Sequence, residues 1–206
     1  MTSCIHCNIE YIHESVKVTS LRIRDLVAQA AHIGLDGVVV IPGPNMQYLT
    51  GTSFHLSERP IAAIFPVNGT AAMILPVLEK AKAHNLSFET RVFAYEDTTG
   101  PAHAFSQALL WLGSSVECLG VEGRRMRFLE IELLRSNERL KLVDADPTFA
   151  KLRMRKDENE IDNMRRAVDI AEKALAATLP ILRPGAQEKE IATELTLQLM
   201  SAGSDS

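Results

Sequence analysis

His55, Glu58 and Arg59 place an imidazole, a carboxylate and a guanidinium within five residues. Such a set can grip a polar substrate: the guanidinium takes a carboxylate, and the imidazole gives or takes a proton near neutral pH. The three lie in a polar stretch that runs from Asn45-Met46-Gln47-Tyr48-Leu49-Thr50-Gly51 to Pro60. That stretch follows the β-branched run Val38-Val39-Val40-Ile41. Loops at strand C-termini are where α/β sheets present ligand contacts. The other reading is a surface loop closed by a local ion pair, and spacing alone leaves both open.

Cys4-x-x-Cys7 is half of a zinc ligand set, with His6 and His13 nearby but not at zinc-finger spacing. The third cysteine, Cys118, falls in a predicted strand far along the chain. Residues 1–19 therefore read as a loose leader rather than a metal site. Other chemical signatures are missing. There is no Gly-x-Ser-x-Gly elbow, phosphate loop, Gly-x-Gly-x-x-Gly or His-Glu-x-x-His, and Gly51-Thr52-Ser53-Phe54 does not supply an elbow. Arg153, Arg155 and Lys156 read as the solvated face of a linker.

The elements that must hold these residues emerge from Leu21 onward. Ile23, Leu26, Val27, Ala30 and Ile33 recur at helical spacing, with Gly34 as the stop. The run from Val38 to Ile41 suits a strand buried on both faces. Asn45 is placed to cap a short helix over Met46 to Leu49. Ile61 to Val67 and Thr70 to Leu75 read as a hairpin around Asn68-Gly69, a pair that favours a type I′ turn. Val77 to Asn85 is expected to be helical and Thr90 to Ala94 a strand. A helix starts at Pro101 with the stripe Phe105, Ala108, Leu109 and Leu112, and ends at Gly113. Val116 to Val121, Phe128 to Asn137 and Leu140 to Val143 follow as strand, helix and strand. Interleaved helices and strands with one hairpin predict an α/β domain with a mixed sheet over 20–150.

A boundary is expected near Pro147 to Lys156. Asp157-x-x-Glu160 then has capping-box geometry, and Ile161, Met164, Val168, Ala171, Leu175, Leu179 and Leu182 keep one apolar face behind it. Arg183-Pro184-Gly185 turns into a second amphipathic run from Glu188 to about Ala202. Such a pair must bury its stripes against further structure.

The net charge of −4 argues against a nucleic-acid partner, which calls for a basic face. No apolar run approaches the ~20 residues that span a bilayer, and Met1 to Ser20 has no signal-peptide core. Three cysteines at odd spacing do not form a disulfide framework, so a reducing cytoplasm is expected.

Five motifs in order carry a resemblance. They are Gly34-Leu35-Asp36-Gly37-Val38-Val39-Val40; Asn45-x-x-Tyr48-Leu49-Thr50-Gly51; Leu119-Gly120-Val121-Glu122; Leu152-Arg153-x-Arg155-Lys156-Asp157-x-x-Glu160-Ile161; and Arg183-Pro184-Gly185-Ala186-x-Glu188-x-Glu190-Ile191. This series resembles the creatinase/prolidase group of pita-bread-fold metallopeptidases, over about 21–206. Xaa-Pro dipeptidases and aminopeptidases are its commonest members.

The resemblance implies an N-terminal creatinase/prolidase α/β domain, then the first two helices of an incomplete pita-bread catalytic domain over 151–206. It implies a homodimer acting on a peptide or small amide. It also implies two divalent metals (Mn, Co or Zn), held by two Asp, one His and two Glu of the catalytic domain. Those metals would activate a bridging water. The loop after Asn45-x-x-Tyr48-Leu49-Thr50-Gly51 matches in position the family element that reaches the partner subunit's active site, so His55 and Arg59 are candidate substrate-binding residues in trans. The six histidines, at 6, 13, 32, 55, 84 and 103, all precede the catalytic portion. No catalytic residue or metal ligand is therefore assigned within the chain, which is expected to be inactive alone. A creatinase-type C–N hydrolase on the same scaffold and a non-catalytic dimerisation or binding module remain alternatives.

Overall fold

The computed structural model describes residues 19–204. It divides into two compact units, one ending at Arg153 and one starting at Met154.

The first unit opens on helix α1 (19–32), whose inner face sets Leu26 and Ala30 out of solvent. Gly34, at φ 78°, ends it in the left-handed region that glycine tolerates. Strand β1 (Gly37–Val40) follows, then α2 (Pro44–Thr50), the antiparallel strands β2 (Ala62–Pro66) and β3 (Ala71–Pro76), and a 3₁₀ turn (Val77–Glu79) leading into α3 (Lys80–His84). Strand β4 (Thr90–Tyr95), helix α4 (Ala102–Leu112), strand β5 (Cys118–Val121), helix α5 (Phe128–Leu134), strand β6 (Lys141–Asp144) and helix α6 (Asp146–Met154) complete it.

The strands form one mixed sheet in the order β4-β3-β2-β1-β5-β6. β1 pairs antiparallel with β2 and parallel with β5. Its side chains alternate between two cores, as the two-residue period of a strand requires. Val38 and Val40 join Leu26, Met46, Phe65 and Phe149 on one face. Val39 joins Ile64, Phe105, Leu109 and Leu134 on the other. Helices thus cover both faces, which is why the run 38–41 is uniformly apolar.

Gly34-Leu35-Asp36-Gly37 sets the register of this sheet. The Asp36 carboxylate accepts the Glu117 and Cys118 N–H groups, each at 2.8 Å, and so pins the start of β5 beside β1. A Cβ at Gly37 would lie 2.8 Å from the Phe65 carbonyl oxygen and 2.9 Å from Pro66 Cα. Gly37→Ala should therefore destabilise the unit by about 1–3 kcal/mol, because the clash with fixed backbone outweighs the ~0.4–1 kcal/mol usually gained from a stiffer unfolded chain. Urea unfolding followed by circular dichroism checks this; a neutral or stabilised variant would show that β2 can shift.

Two local expectations are corrected. The Asn68-Gly69 connection is not a type I′ turn, since Gly69 has φ 105° but, among the described residues, no non-glycine residue, Asn68 included, has positive φ. Val67 N–H donates to the Asp36 carbonyl at 2.8 Å, which keeps the chain aligned with β1 and leaves a longer link to β3. Asn45 does not cap α2: Gly43 holds that position without a side-chain bond, and Asn45 lies inside the first turn. The division after Arg153 falls within the boundary expected near Pro147 to Lys156, and most of that span is helix α6, with Pro147 in its first turn and Thr148 and Phe149 buried. Its apolar pattern is too short to show a period.

The second unit consists of α7 (Glu158–Thr178), a 3₁₀ turn (Leu179–Ile181) and α8 (Glu188–Ala202), the helices packing on each other. The capping box is formed: Glu160 N–H donates to Asp157 Oδ1 at 2.8 Å, and Asp157 N–H to Glu160 Oε2 at 2.9 Å. Met164, Val168, Leu175, Leu179, Leu197 and Met200 remain exposed. Among the described residues, no helix is long and apolar enough to cross a membrane.

Candidate functional site

Two constellations gather at the carboxyl ends of β1 and β5. The first is internal. Glu122 directly follows β5 and is fully buried. Its carboxylate accepts the Ile41 N–H at 2.8 Å and the Asn45 side-chain amide at 2.9 Å, and Arg125 Nε lies 4.0 Å away. Burial pushes the Glu122 carboxyl above its ordinary range, against the pull of these donors. Asn45 Oδ1 in turn accepts Arg153 Nη1 at 2.9 Å. The Tyr48 ring has the Arg22 guanidinium 4.1 Å and the Arg153 guanidinium 5.5 Å from its centroid. Thr50 folds its hydroxyl onto the Met46 carbonyl at 2.8 Å, and Gly51, at φ 70°, closes α2 in the left-handed region.

Motif residues far apart in sequence thus meet in one hydrogen-bonded and stacked network. Its work is to lock α1, α2, β5 and α6 together. Arg153, Arg155 and Lys156 are all exposed, as expected, but Arg153 lies in helix α6 and also joins this network through Asn45 and Tyr48.

The second constellation is the loop 51–61. Phe54 is buried at one end, and Pro60 and Ile61 at the other. Between them His55, Leu56 and Glu58 are exposed. Arg59 is turned back onto its own chain. Its Nε and Nη2 donate to the two Asp97 carboxylate oxygens at 2.8 and 2.7 Å, and its Nη1 reaches Glu58 at 3.0 Å. Hydrogen bonding to Arg59 holds the Asp97 carboxyl below the usual range. The Tyr95 hydroxyl donates to the Pro60 carbonyl at 2.9 Å, and burial pushes that phenol up to about 12.

The expected trio is therefore split: Glu58 and Arg59 are paired, while His55 stands apart with its ring in solvent. Asp97, Tyr95 and Arg127 complete the site, and sequence reading missed all three. They lie 35 to 70 residues from their loop partners, so no local spacing announces them.

Among the described residues no group of three or more His, Cys, Asp or Glu side chains is arranged to hold a metal ion. The described part of the chain therefore does not fit the paired metals that the resemblance implies, and no reaction step is derived through them. Cys4, His6, Cys7 and His13 lie outside the described residues.

The profile of the Creatinase/Prolidase N-terminal domain family matches residues 22–155, from α1 to the end of α6. The chain belongs to this family. The probable dipeptidase PepE of Mycobacterium tuberculosis is 27% identical over 190 residues, covering 91% of this chain and 50% of that protein. The crystal structure of dipeptidase PepE from Mycobacterium ulcerans superposes with a TM-score of 0.79 at 24% identity, covering 93% of this chain and 51% of that one. A recombinant prolidase from Thermococcus sibiricus gives 0.78 at 24%, covering 89% and 50%. At these identities the structural likeness speaks for the fold. The chain spans about half the length of the curated relatives it matches.

Proposed function

We propose that this creatinase/prolidase N-terminal chain serves a metal-dependent Xaa-Pro peptidase, as the part that precedes the metal-bearing catalytic residues. In that role it supports a homodimer and offers the loop Phe54–Arg59 to substrate in the partner subunit's active site. The observation that carries this reading is the alignment with a dipeptidase over nearly the whole chain but only half of the relative. The geometry of the loop supports it. A backbone fixed at both ends exposes an imidazole and a carboxylate at the carboxyl side of the sheet, where α/β folds receive ligands.

The test compares residues 1–206 with a protein extended to the relatives' length. Both are assayed on Xaa-Pro dipeptides with Mn²⁺, Co²⁺ or Zn²⁺. The extended protein should hydrolyse them, and EDTA should abolish the activity; residues 1–206 alone should give none. Metal-dependent turnover by 1–206 above a contaminant control would overturn the reading. So would an extended protein that cleaves only non-peptide C–N bonds.

A further inference from the structure

Behind the loop stands an ion pair whose position suggests a purpose. Arg127 precedes α5, and Glu130 lies in the first turn of that helix. The Glu130 carboxylate is fully buried. It accepts the Arg127 backbone N–H at 3.1 Å and Arg127 Nε at 2.9 Å, and it also pairs with Arg127 Nη2. Two arms of the guanidinium are thus committed to a carboxylate that cannot turn to water. Hydrogen bonding to Glu130 raises the Arg127 pKa further, so the charge is permanent. The third arm, Nη1, donates to the Ser57 carbonyl, at the centre of the loop.

Ser57 Oγ accepts the Arg59 N–H at 3.2 Å, tightening the same turn. With Tyr95 on the Pro60 carbonyl and Phe54 in the core, the backbone is held at its two ends and its middle. The three exposed side chains, His55, Leu56 and Glu58, project from the spans between these anchors.

We infer that Arg127 and Glu130 are a positioning pair that sets the recognition loop through the Ser57 carbonyl before any substrate or partner subunit arrives. A fork geometry is needed because one cation must satisfy a buried carboxylate and still reach a second chain segment. Lysine can neutralise Glu130 but lacks the planar second arm. A preset loop avoids the ordering cost that a flexible one pays on each binding event. This inference rests on the proposed role of the loop, and the experiment separates the two.

Arg127→Lys keeps the countercharge on Glu130 and frees the Ser57 carbonyl. Amide hydrogen exchange on residues 1–206 should show protection over 55–59 falling about tenfold or more while β1 keeps its protection. The paired change Arg127→Gln with Glu130→Gln, which leaves no buried charge unpaired, should do the same. In the extended protein Arg127→Lys should raise KM for an Xaa-Pro dipeptide while kcat stays within about twofold. Unchanged loop protection in both variants would overturn the inference. Equal loss of protection in β1 would overturn it too, since the pair would then serve the fold as a whole. A loosened loop with wild-type KM would also overturn it. If His55→Ala leaves the kinetics untouched while Arg127→Lys raises KM, the role given to His55 fails and the positioning pair stands.

Discussion

Replacing Glu122 with leucine should destabilise the 19–153 unit by about 2–4 kcal/mol, since each buried donor left without an acceptor costs roughly 1–3 kcal/mol. The side chain keeps similar bulk, so the loss comes from the Ile41 N–H and the Asn45 amide. Relief of carboxylate desolvation offsets part of this, but the orphaned donors win because neither can reach water at a residue 0% exposed. Asn45 would also release Arg153, loosening α6. Chemical denaturation measures the loss; a variant as stable as wild type would mean that the network is ornamental.

The pH dependence carries a definite sign. The folded-state pKa of Glu122 is raised above its ordinary value of 4.5. Its contribution to stability is therefore fully present below that value and is lost as pH rises through the raised folded value. Glu122→Gln does not titrate. The stability of wild type minus that of Glu122→Gln should accordingly shrink as pH rises from about 4 through the window above the ordinary carboxylate range. A difference that grows with pH would show that the donors, not burial, dominate the site.

In the extended protein, His55→Ala should lower kcat/KM for Xaa-Pro substrates by roughly 30- to 150-fold, the size expected when a group touching the transition state is lost. Thermal stability should hardly change, because the His55 side chain is exposed. Arg59→Ala should act in the same direction, but less cleanly. It also frees Asp97 and Glu58, and it loosens the loop that Arg59 helps to close. Exposed ion pairs add little to folding, so its melting temperature should also stay near wild type. Steady-state kinetics alongside thermal denaturation decide the matter. Two variants with wild-type kinetics, or with lowered melting temperatures instead of lowered turnover, would return the loop to a surface turn closed by an ion pair.

How much of this was legible in advance follows from the range of each interaction. The uniform run 38–41 announced a strand covered on both faces, because sheet burial is written in successive residues. The capping box Asp157-x-x-Glu160 and the stops at Gly34 and Gly113 were equally legible, since caps act within a turn of helix. The motif series also marked the family. What those motifs do was hidden: Asn45 suggested a helix cap and Arg153 a solvated face. Asn45 instead holds Glu122, which lies 77 residues away and meets it only when β1 and β5 pair, and Arg153, though exposed, bonds Asn45. The loop divides in the same way. Its polar composition and its place after a buried strand were set by the sequence. That Arg59 would turn to Asp97, that Arg127 would hold the Ser57 carbonyl, and that His55 would be left facing solvent were decided by strand order and helix packing. Local propensities and periods encode which elements form. Which side chains meet depends on contacts between segments tens of residues apart, and only the folded chain brings those together.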